Sequence, residues 1–317
     1  MNSAPASTGE HAFEDSPFHA GELRAQQLAG GGSNGAAIRD YMPEQHRTFF
    51  GLLPYLLAAT TDDEGWPVAT MLAGPAGFVS SPDERSLHIT VTPENLAPYE
   101  AQFAAGKQVG LLGLDLATRR RNRANGFIAR ADGQGMLLAI EESFGNCPKY
   151  IQARDVEFVS RGETAPQISH FSSLDQQARE LIRQSDTLFV ATTAGEGEGT
   201  DISHRGGRPG FVRIDDKAGG TTLTIPDFTG NRYFNTLGNM LMDPRAALLF
   251  VDFASGDLLQ LQGTVEVIWD GPEVESFAGA QRLWRLHVKR GWRKPAAVPL
   301  RWALREYAPT TVATGTW

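Results

Sequence analysis

The sequence predicts a mainly β protein with peripheral helices (α+β), built as two like β-domains in tandem. Short apolar runs broken by turn signals begin at Leu53, the spacing of antiparallel strands rather than of a βαβ array. The pattern then repeats: Leu57-Ala58-Ala59-Thr60-Thr61 recurs as Phe189-Val190-Ala191-Thr192-Thr193, and Gly77-Phe78-Val79 as Gly210-Phe211-Val212. Leu111-Leu112 and Asp115 recur as Leu248-Leu249 and Asp252, and Gly126 recurs as Gly263. The offset drifts only from 132 (Thr60 to Thr192) to 137 (Gly126 to Gly263), which marks a duplicated domain, not a solenoid unit. Two like domains in one chain pack most naturally as a pseudo-symmetric dimer, by analogy with isologous two-fold pairing.

Along the chain, residues 1–50 predict an N-terminal arm with short helices, 51–160 a first β-domain, and 170–317 a second with a helical tail. The first 14 residues are polar and small, and order is not expected there. Residues 22–29 have helix-forming composition and stop at Gly30-Gly31-Gly32. Residues 39–50 predict a second helix, with Tyr41, Met42, Phe49 and Phe50 as core partners. Residues 31–35 formally fit G-x-S-x-G, but a nucleophile elbow follows a strand and this stretch follows a helix, so a loop is expected. Strands are predicted over 55–60, 68–72, 87–91, 109–116 and 126–131, separated by turns at 62–65 and 81–84. Residues 172–184 predict a helix capped by Ser172 or Ser173, with Leu174, Ala178, Leu181 and Ile182 as its apolar stripe. Residues 271–317 read as mainly helical, with Trp284, Trp292 and Trp302 as packing residues.

Composition narrows the function classes. A chain of 317 residues with 41% hydrophobic and 21% charged residues suits about two globular domains. A formal net charge of −8 argues against nucleic-acid binding, which favours a basic domain or stripe. The single cysteine, Cys147, excludes an internal disulfide framework and points to a reducing compartment, so a cytoplasmic protein is expected. The N-terminus lacks the basic start and apolar run of a signal peptide, and no apolar segment reaches the roughly 20 residues of a membrane span. No C-x-x-C, H-E-x-x-H or paired-histidine spacing suggests a metal site, and no G-x-G-x-x-G or P-loop suggests a dinucleotide or nucleotide fold.

The stretch with most chemistry runs over 201–244. Gly206, Gly207 and Gly210, followed by Phe211, let backbone approach a ligand closely, and Arg205 stands beside them. Asp227, Asn231, Arg232, Asn235 and Asn239 follow one strand later. Guanidinium forks, amides and open N–H groups together suit a phosphate and a planar polar ring. The bland alternatives are a tight hairpin turn for the glycines and an exposed helix face for the asparagines, which fall at i, i+4 spacing.

Here the chain resembles a known family. The run 222–253, with its strand LTIPD, the turn FTGNR, a polar helix ending at Asp243-Pro244-Arg245 and the strand AALLFVDF, is similar to the core of the pyridoxamine 5′-phosphate oxidase-like flavoproteins. The upstream SHRGGRPGFV, together with FHAGE (18–22), RRRNRANG (119–126) and FGNCPKYIQ (144–152), resembles a two-domain, FMN-binding branch of that family. The resemblance implies split β-barrels, here two in tandem forming a pseudo-dimer, with FMN bound where two barrels meet. It also implies an FMN-dependent oxidoreductase, with NAD(P)H or a reductase as electron-donor candidates; the substrate is read from the arginine-rich surface instead, which suits a small, anionic molecule. The oxidase's own R-x-x-L-L-K strand and S-R-K turn are absent, and Arg285-Leu286-His287 echoes its substrate motif only in a helical context, so vitamin B6 oxidation is not the expected activity.

The two halves differ where a site should be. The second half reads RGGRPGFV and PDFTGNRYFNTLGN, whereas the first reads LAGPAGFV and TPENLAPYEAQFAAG, with no arginine and Asn95 as its one asparagine. The first half instead carries Arg119, Arg121, Arg123 and Asn125, which share one face if they lie on a strand. In the resembled family this strand crosses to the partner's flavin, so one composite FMN site is expected, with its mirror image empty and apolar. The plain alternative for the arginine row is a solvated basic loop or a partner for acidic groups such as Glu141 and Glu142.

Arg121, Arg123 and His204 are the candidates for catalytic roles. His204 and Cys147 have structural readings too, as a satisfied histidine and a buried thiol. Two rivals remain: a non-catalytic flavin-binding protein, and a heme-binding or heme-degrading split barrel with His19, His46, His204 or His287 as axial ligand. A further homodimer is an open alternative to the single chain.

Overall fold

The computed structural model describes residues 16–91, 102–160, 167–195, 197–217 and 219–317. The expectations for residues 1–14 and for Asn95 fall outside these residues.

The first sheet takes its strands from β1 (Tyr55–Thr61), β2 (Pro67–Ala73), β3 (Val79–Ser80), β4 (Ser86–Ile89), β5 (Gln108–Asp115), β6 (Arg120–Asp132) and β7 (Gly135–Gly145), in the order β2-β1-β5-β6-β7-β4-β3. A two-stranded ribbon joins β8 (Ala153–Phe158) to the distant β17 (Leu300–Glu306). The second sheet uses β10 (Thr187–Thr193), β11 (Thr200–Gly206), β12 (Arg213–Lys217), β13 (Gly220–Asp227), β14 (Arg245–Val251), β15 (Leu258–Ile268) and β16 (Arg282–Lys294). Its order, β11-β10-β14-β15-β16-β13-β12, is that of the first sheet with β1 to β7 renumbered β10 to β16, and β9 (Ser169–Phe171) adds to β16. All paired strands are antiparallel, and pairing among the described residues leaves both sheets open at their edges.

Alternation along β1 and β10 explains how the sheets stack. Leu56 and Ala58 enter a core with Phe50, Leu111 and Ile128, whereas Tyr55, Leu57 and Ala59 turn to the opposite face. In the second sheet Leu188 and Val190 pack with Phe211, Leu248 and Trp284, and Phe189 and Ala191 turn the other way. The outward-turned residues of both strands meet in a shared third core with Met71, Leu112, Ile202, Leu249 and Trp302. Strands buried on both faces read as continuous apolar runs, which is what YLLAATT and TLFVATT are. Each Leu, Val or Phe buried there contributes about 1.5–3 kcal/mol relative to exposure.

The repeated glycine has a geometric cause. The register of β6 on β7 shifts between Asn125 and Gly126, and that of β15 on β16 shifts between Gln262 and Gly263. A Cβ on Gly126 would sit 1.9 Å from the Ala139 carbonyl oxygen, and one on Gly263 would sit 2.3 Å from that of His287. Both bulges therefore need a residue without a side chain.

Four helices bear on the expectations. α1 (Ala20–Leu28) starts at a capping box in which His19 Nδ1 accepts from Gly21 N and Glu22 Oε2 accepts from His19 N. α2 is Glu44–Leu52, so residues 39–43 are not helical. α3 (Gln176–Gln184) is capped by Asp175, whose Oδ1 accepts from Ala178 N at 2.7 Å, and not by Ser172 or Ser173. α4 (Asn235–Met242) crosses α1 with glycine against glycine: a Cβ on Gly21 would lie 2.3 Å from the Gly238 oxygen, and one on Gly238 would lie 2.6 Å from Glu22 Cα. Gly238→Ala is expected to cost about 1–3 kcal/mol by forcing the helices apart, read as a lowered denaturation midpoint; an unchanged midpoint would contradict this close crossing.

The tail corrects the sequence reading. Residues 271–317 are mainly strand, with β16 and β17, and helical only in the short α5 (Pro272–Glu275) and α6 (Pro309–Val312). Arg285-Leu286-His287 therefore lies on β16, where Arg285 pairs with Glu266 and Glu273 and His287 Nδ1 meets Thr222 Oγ1 at 3.1 Å. The helical context assigned to this triplet does not exist. No helix among the described residues is long and apolar enough to cross a membrane.

Candidate functional site

A cavity of about 300 Å³ opens between the two sheets. β6 supplies Arg121 and Arg123, β11 supplies Ser203, His204, Arg205 and Gly206, and β13 ends in it at Asp227. The loop 228–232, the start of α4 at Asn235, and Asn146, Lys149 and Tyr150 from the segment after β7 complete the wall with Arg282 of β16. Six cations (Arg121, Arg123, Lys149, Arg205, Arg232, Arg282) line it against one carboxylate, Asp227. In a chain of net charge −8 this is a local reversal of sign.

Each cation is held differently. Arg282 donates from Nη1 to Asp227 Oδ2 at 2.9 Å, its neighbour across the β13–β16 pairing, and Arg205 Nη2 lies 3.4 Å from Asp227 Oδ1. Arg121 donates from Nε to the Cys147 carbonyl at 2.8 Å, so Cys147 enters the site through its backbone. Arg121 Nη1 then faces His204 Nδ1 at 3.4 Å. Burial and the neighbouring Arg205 guanidinium pull Arg121 down to about 9, which still leaves it charged at neutral pH. Burial, the nearby Asp227 and the other guanidiniums act on Arg205, whose net shift is downward. Lys149 forms no hydrogen bond or ion pair among the described residues.

His204 is neutral here. Burial first, then Arg121 and Arg205, hold its pKa well below the ordinary histidine range. Since Arg121 is a donor, His204 Nδ1 accepts and the proton sits on Nε2, which has no partner. Arg123 Nε, Asn146 Nδ2 and Arg205 Nε are likewise buried without partners. All four orphaned atoms on cavity-lining residues are nitrogen donors and none is an oxygen acceptor. Tyr150 stacks on Phe228 with ring centroids 5.0 Å apart and gives the cavity an aromatic edge.

Several expected residues lie outside the cavity, and others line it while bonded to the protein itself. Arg119 has a left-handed φ of 57° just before β6 and points to the Ile151 carbonyl and Glu306, so it leaves the row that Arg121, Arg123 and Asn125 form. Asn125 donates to Asp201 Oδ1 at 2.8 Å, behind the wall. Asn239 donates to Asp201 Oδ2 at 2.9 Å and to Thr192 Oγ1, and accepts from His19 Nε2 at 2.7 Å. Asn231 bonds Asn146 Oδ1, Arg232 reaches the Gly31 carbonyl, and Asn235 donates to Glu22, so the three asparagines are not an exposed helix face. Gly207 packs under Phe211, which is fully buried in the second core, and Gly210 in the same turn takes Trp317 N on its carbonyl. Gly206 gives close approach to the Tyr150 carbonyl, 1.9 Å from where its Cβ would be, rather than to open space. His19, His46 and His287 do not line the cavity; His46 Nδ1 meets Ser143 Oγ at 2.9 Å.

Arg123 is the most constrained of the row. Nη1 meets Asp201 Oδ1 at 2.5 Å, and Nη2 donates to the Ile202 carbonyl at 3.1 Å and to Ser203 Oγ at 2.5 Å. The strand registers show its counterpart in the repeat. Leu112 pairs with Arg123 and Leu249 with Gln260, while Ala59 pairs with Ala69 and Ala191 with Ile202. Gln260 Nε2 donates to the Ala69 carbonyl at 2.7 Å, the same cross-sheet bond that Arg123 makes to Ile202. The intramolecular reading of Arg123 thus holds, with Asp201 rather than Glu141 or Glu142 as its first partner. By the same registers Arg121, His204 and Asp201 correspond to Leu258, Met71 and Val68, all buried and apolar.

Residues 174–304 match the family model for pyridoxamine 5′-phosphate oxidase. That segment, less than half of the chain, is similar to the pyridoxamine 5′-phosphate oxidase family. Solved structures similar to parts of the chain include HupZ of Group A Streptococcus (20% identity, 37% of this chain and 90% of that one, TM-score 0.29). They also include the heme storage protein HutZ of Vibrio cholerae (13%, 39% and 95%, TM-score 0.27) and an FAD-binding protein of Mesorhizobium loti (10%, 40% and 97%, TM-score 0.26). No curated protein matches the chain.

Within the family-like half, the sequence pointed to Arg205, Asp227, Asn231, Arg232 and Asn235, which do line the cavity. It missed Arg282, because the tail was taken as helical although Trp284, Leu286 and Val288 alternate with Arg285, His287 and Lys289. It also missed Asn146, Lys149 and Tyr150, which lie in the quoted FGNCPKYIQ but on irregular backbone, where no periodicity shows direction.

Proposed function

We propose that the chain binds flavin mononucleotide in this cavity, between two split barrels packed as a pseudo-dimer, and acts as an FMN-dependent oxidoreductase on a small anionic substrate. The carrying observation is the wall itself: six cations, one carboxylate and four orphaned N–H donors. Phosphate and ring-carbonyl oxygens are acceptors, so the donor set fits the group. Arg121, Lys149, Arg205 and Arg232 are the residues that would hold the phosphate or an anionic substrate, and Tyr150 with Phe228 would border the ring. When bound, the flavin supplies the electron chemistry, with NAD(P)H or a reductase as the donor class. His204, uncharged and protonated on Nε2, orients an acceptor and does not take a proton. The equivalents Leu258, Met71 and Val68 make the mirror crevice apolar, so one flavin per chain is the reading.

The absorbance of the purified protein tests this. A flavin spectrum at one equivalent per chain supports it, and bleaching by NAD(P)H or a candidate substrate separates an enzyme from a carrier. A Soret band would turn the reading to heme. That alternative has His204 as its one cavity-lining histidine, and ligation through Nε2 would cost the Arg121–His204 contact. A colourless protein whose melting temperature FMN does not raise would end the flavin reading.

A further inference from the structure

Behind the cavity wall, three carboxylates from three elements lie close to one another, two of them beside one guanidinium. Glu22 comes from α1, Asp201 from β11 and Glu142 from β7; Arg123 of β6 is the cation among them. A continuous polar chain joins them. Glu22 Oε2 lies 3.6 Å from His19 Nε2, which meets Asn239 Oδ1 at 2.7 Å. Asn239 donates to Asp201, Asp201 accepts from Asn125, and Asn125 Nδ2 lies 3.4 Å from Glu142 Oε2. The cluster touches the cavity twice, because Asn235 donates to Glu22 and lines the wall, as does Arg123.

We infer that this cluster is a proton store coupled to the ligand site, so that an anion entering the cavity drives a proton onto the cluster. The inference rests on the reading that the cavity takes an anion. The facing charges are Arg123 and, from the exposed side, Glu141, with His19 beside Glu22; the other partners are amides and hydroxyls. Three neighbouring carboxylates with a single guanidinium, beside two of them, do not all ionise away from water, and the cheapest relief is a bound proton. Burial, then Asp201, raises Glu22 to about 8, and the same two causes raise Glu142 to about 7, so the cluster exchanges protons near neutrality. A new negative charge in the cavity disfavours the ionised carboxylates further, and the proton occupancy rises. By linkage, anion affinity then falls as pH rises through about 7–8, by up to about tenfold per pH unit for each proton coupled.

The test is calorimetric titration of FMN into the flavin-free full-length protein at about pH 7.5, in two buffers of different ionisation enthalpy. The expected result is net proton uptake by the wild type. Glu22→Gln is expected to lose at least half of that uptake while still binding FMN. If melting shows that Glu22→Gln does not fold, Glu142→Gln is the second variant and carries the same expectation. FMN binding without proton uptake, or uptake unchanged in the folded variants, would overturn the inference and leave the flavin reading standing. No FMN binding at all would sink the cavity reading, and the inference with it.

Discussion

Asp201→Ala is expected to destabilise the protein by about 3–5 kcal/mol, because it leaves the Arg123 guanidinium buried without its counter-ion. Asp201 is also an acceptor for Asn125 and Asn239, so three side chains lose an acceptor at once. Arg123→Gln alone strands the Asp201 carboxylate in the same way. The equivalent positions of the other half suggest how to mend the pair. There Gln260 makes the cross-sheet bond to Ala69 and Val68 stands where Asp201 would be. Arg123→Gln combined with Asp201→Val should therefore be more stable than the two single changes predict, by about 1–3 kcal/mol of coupling. Chemical denaturation of the four proteins measures this. Additive losses would show that the pair is not the unit described.

The second large effect concerns ligand affinity. Arg121→Leu copies the equivalent Leu258 and is expected to weaken FMN binding about 10–100-fold, the value of one or two charge-assisted hydrogen bonds of about 1.5–3 kcal/mol. Arg121 anchors on the Cys147 carbonyl and faces His204, so the change also frees His204 to shift its proton between ring nitrogens. Quenching of flavin fluorescence on titration gives the affinity. Wild-type affinity in Arg121→Leu would remove Arg121 from the site and leave Lys149 with the second-half arginines to hold the anion.

Much of the architecture was legible because burial writes itself into a strand. LLAATT and FVATT are apolar on every residue that must face one core or the other, and the repeated glycines mark two bulges where a Cβ would strike a carbonyl. The cavity wall was legible in part for a different reason: arginines and asparagines beside glycines are unusual enough to notice. What stayed hidden depends on contacts distant in sequence. Nothing near Gly210 says that its carbonyl receives Trp317, and nothing near Arg123 says that Asp201 awaits it. The helical reading of 282–294 failed because basic residues and tryptophans in turn conceal a period of two.

The face-to-face burial of β1 and β10 carries a consequence for how such a molecule can change over generations. When two identical subunits pair, every substitution is written twice, once on each side of the axis. An arginine that suits one crevice is then forced on the other, and an aspartate placed to meet it must also be tolerated where it meets nothing. With both halves on one chain that constraint lapses. Arg123 opposite Asp201 can coexist with Gln260 opposite Ala69, and the interface keeps one equivalent hydrogen bond in each place. One crevice is then free to become chemistry while the other becomes ballast.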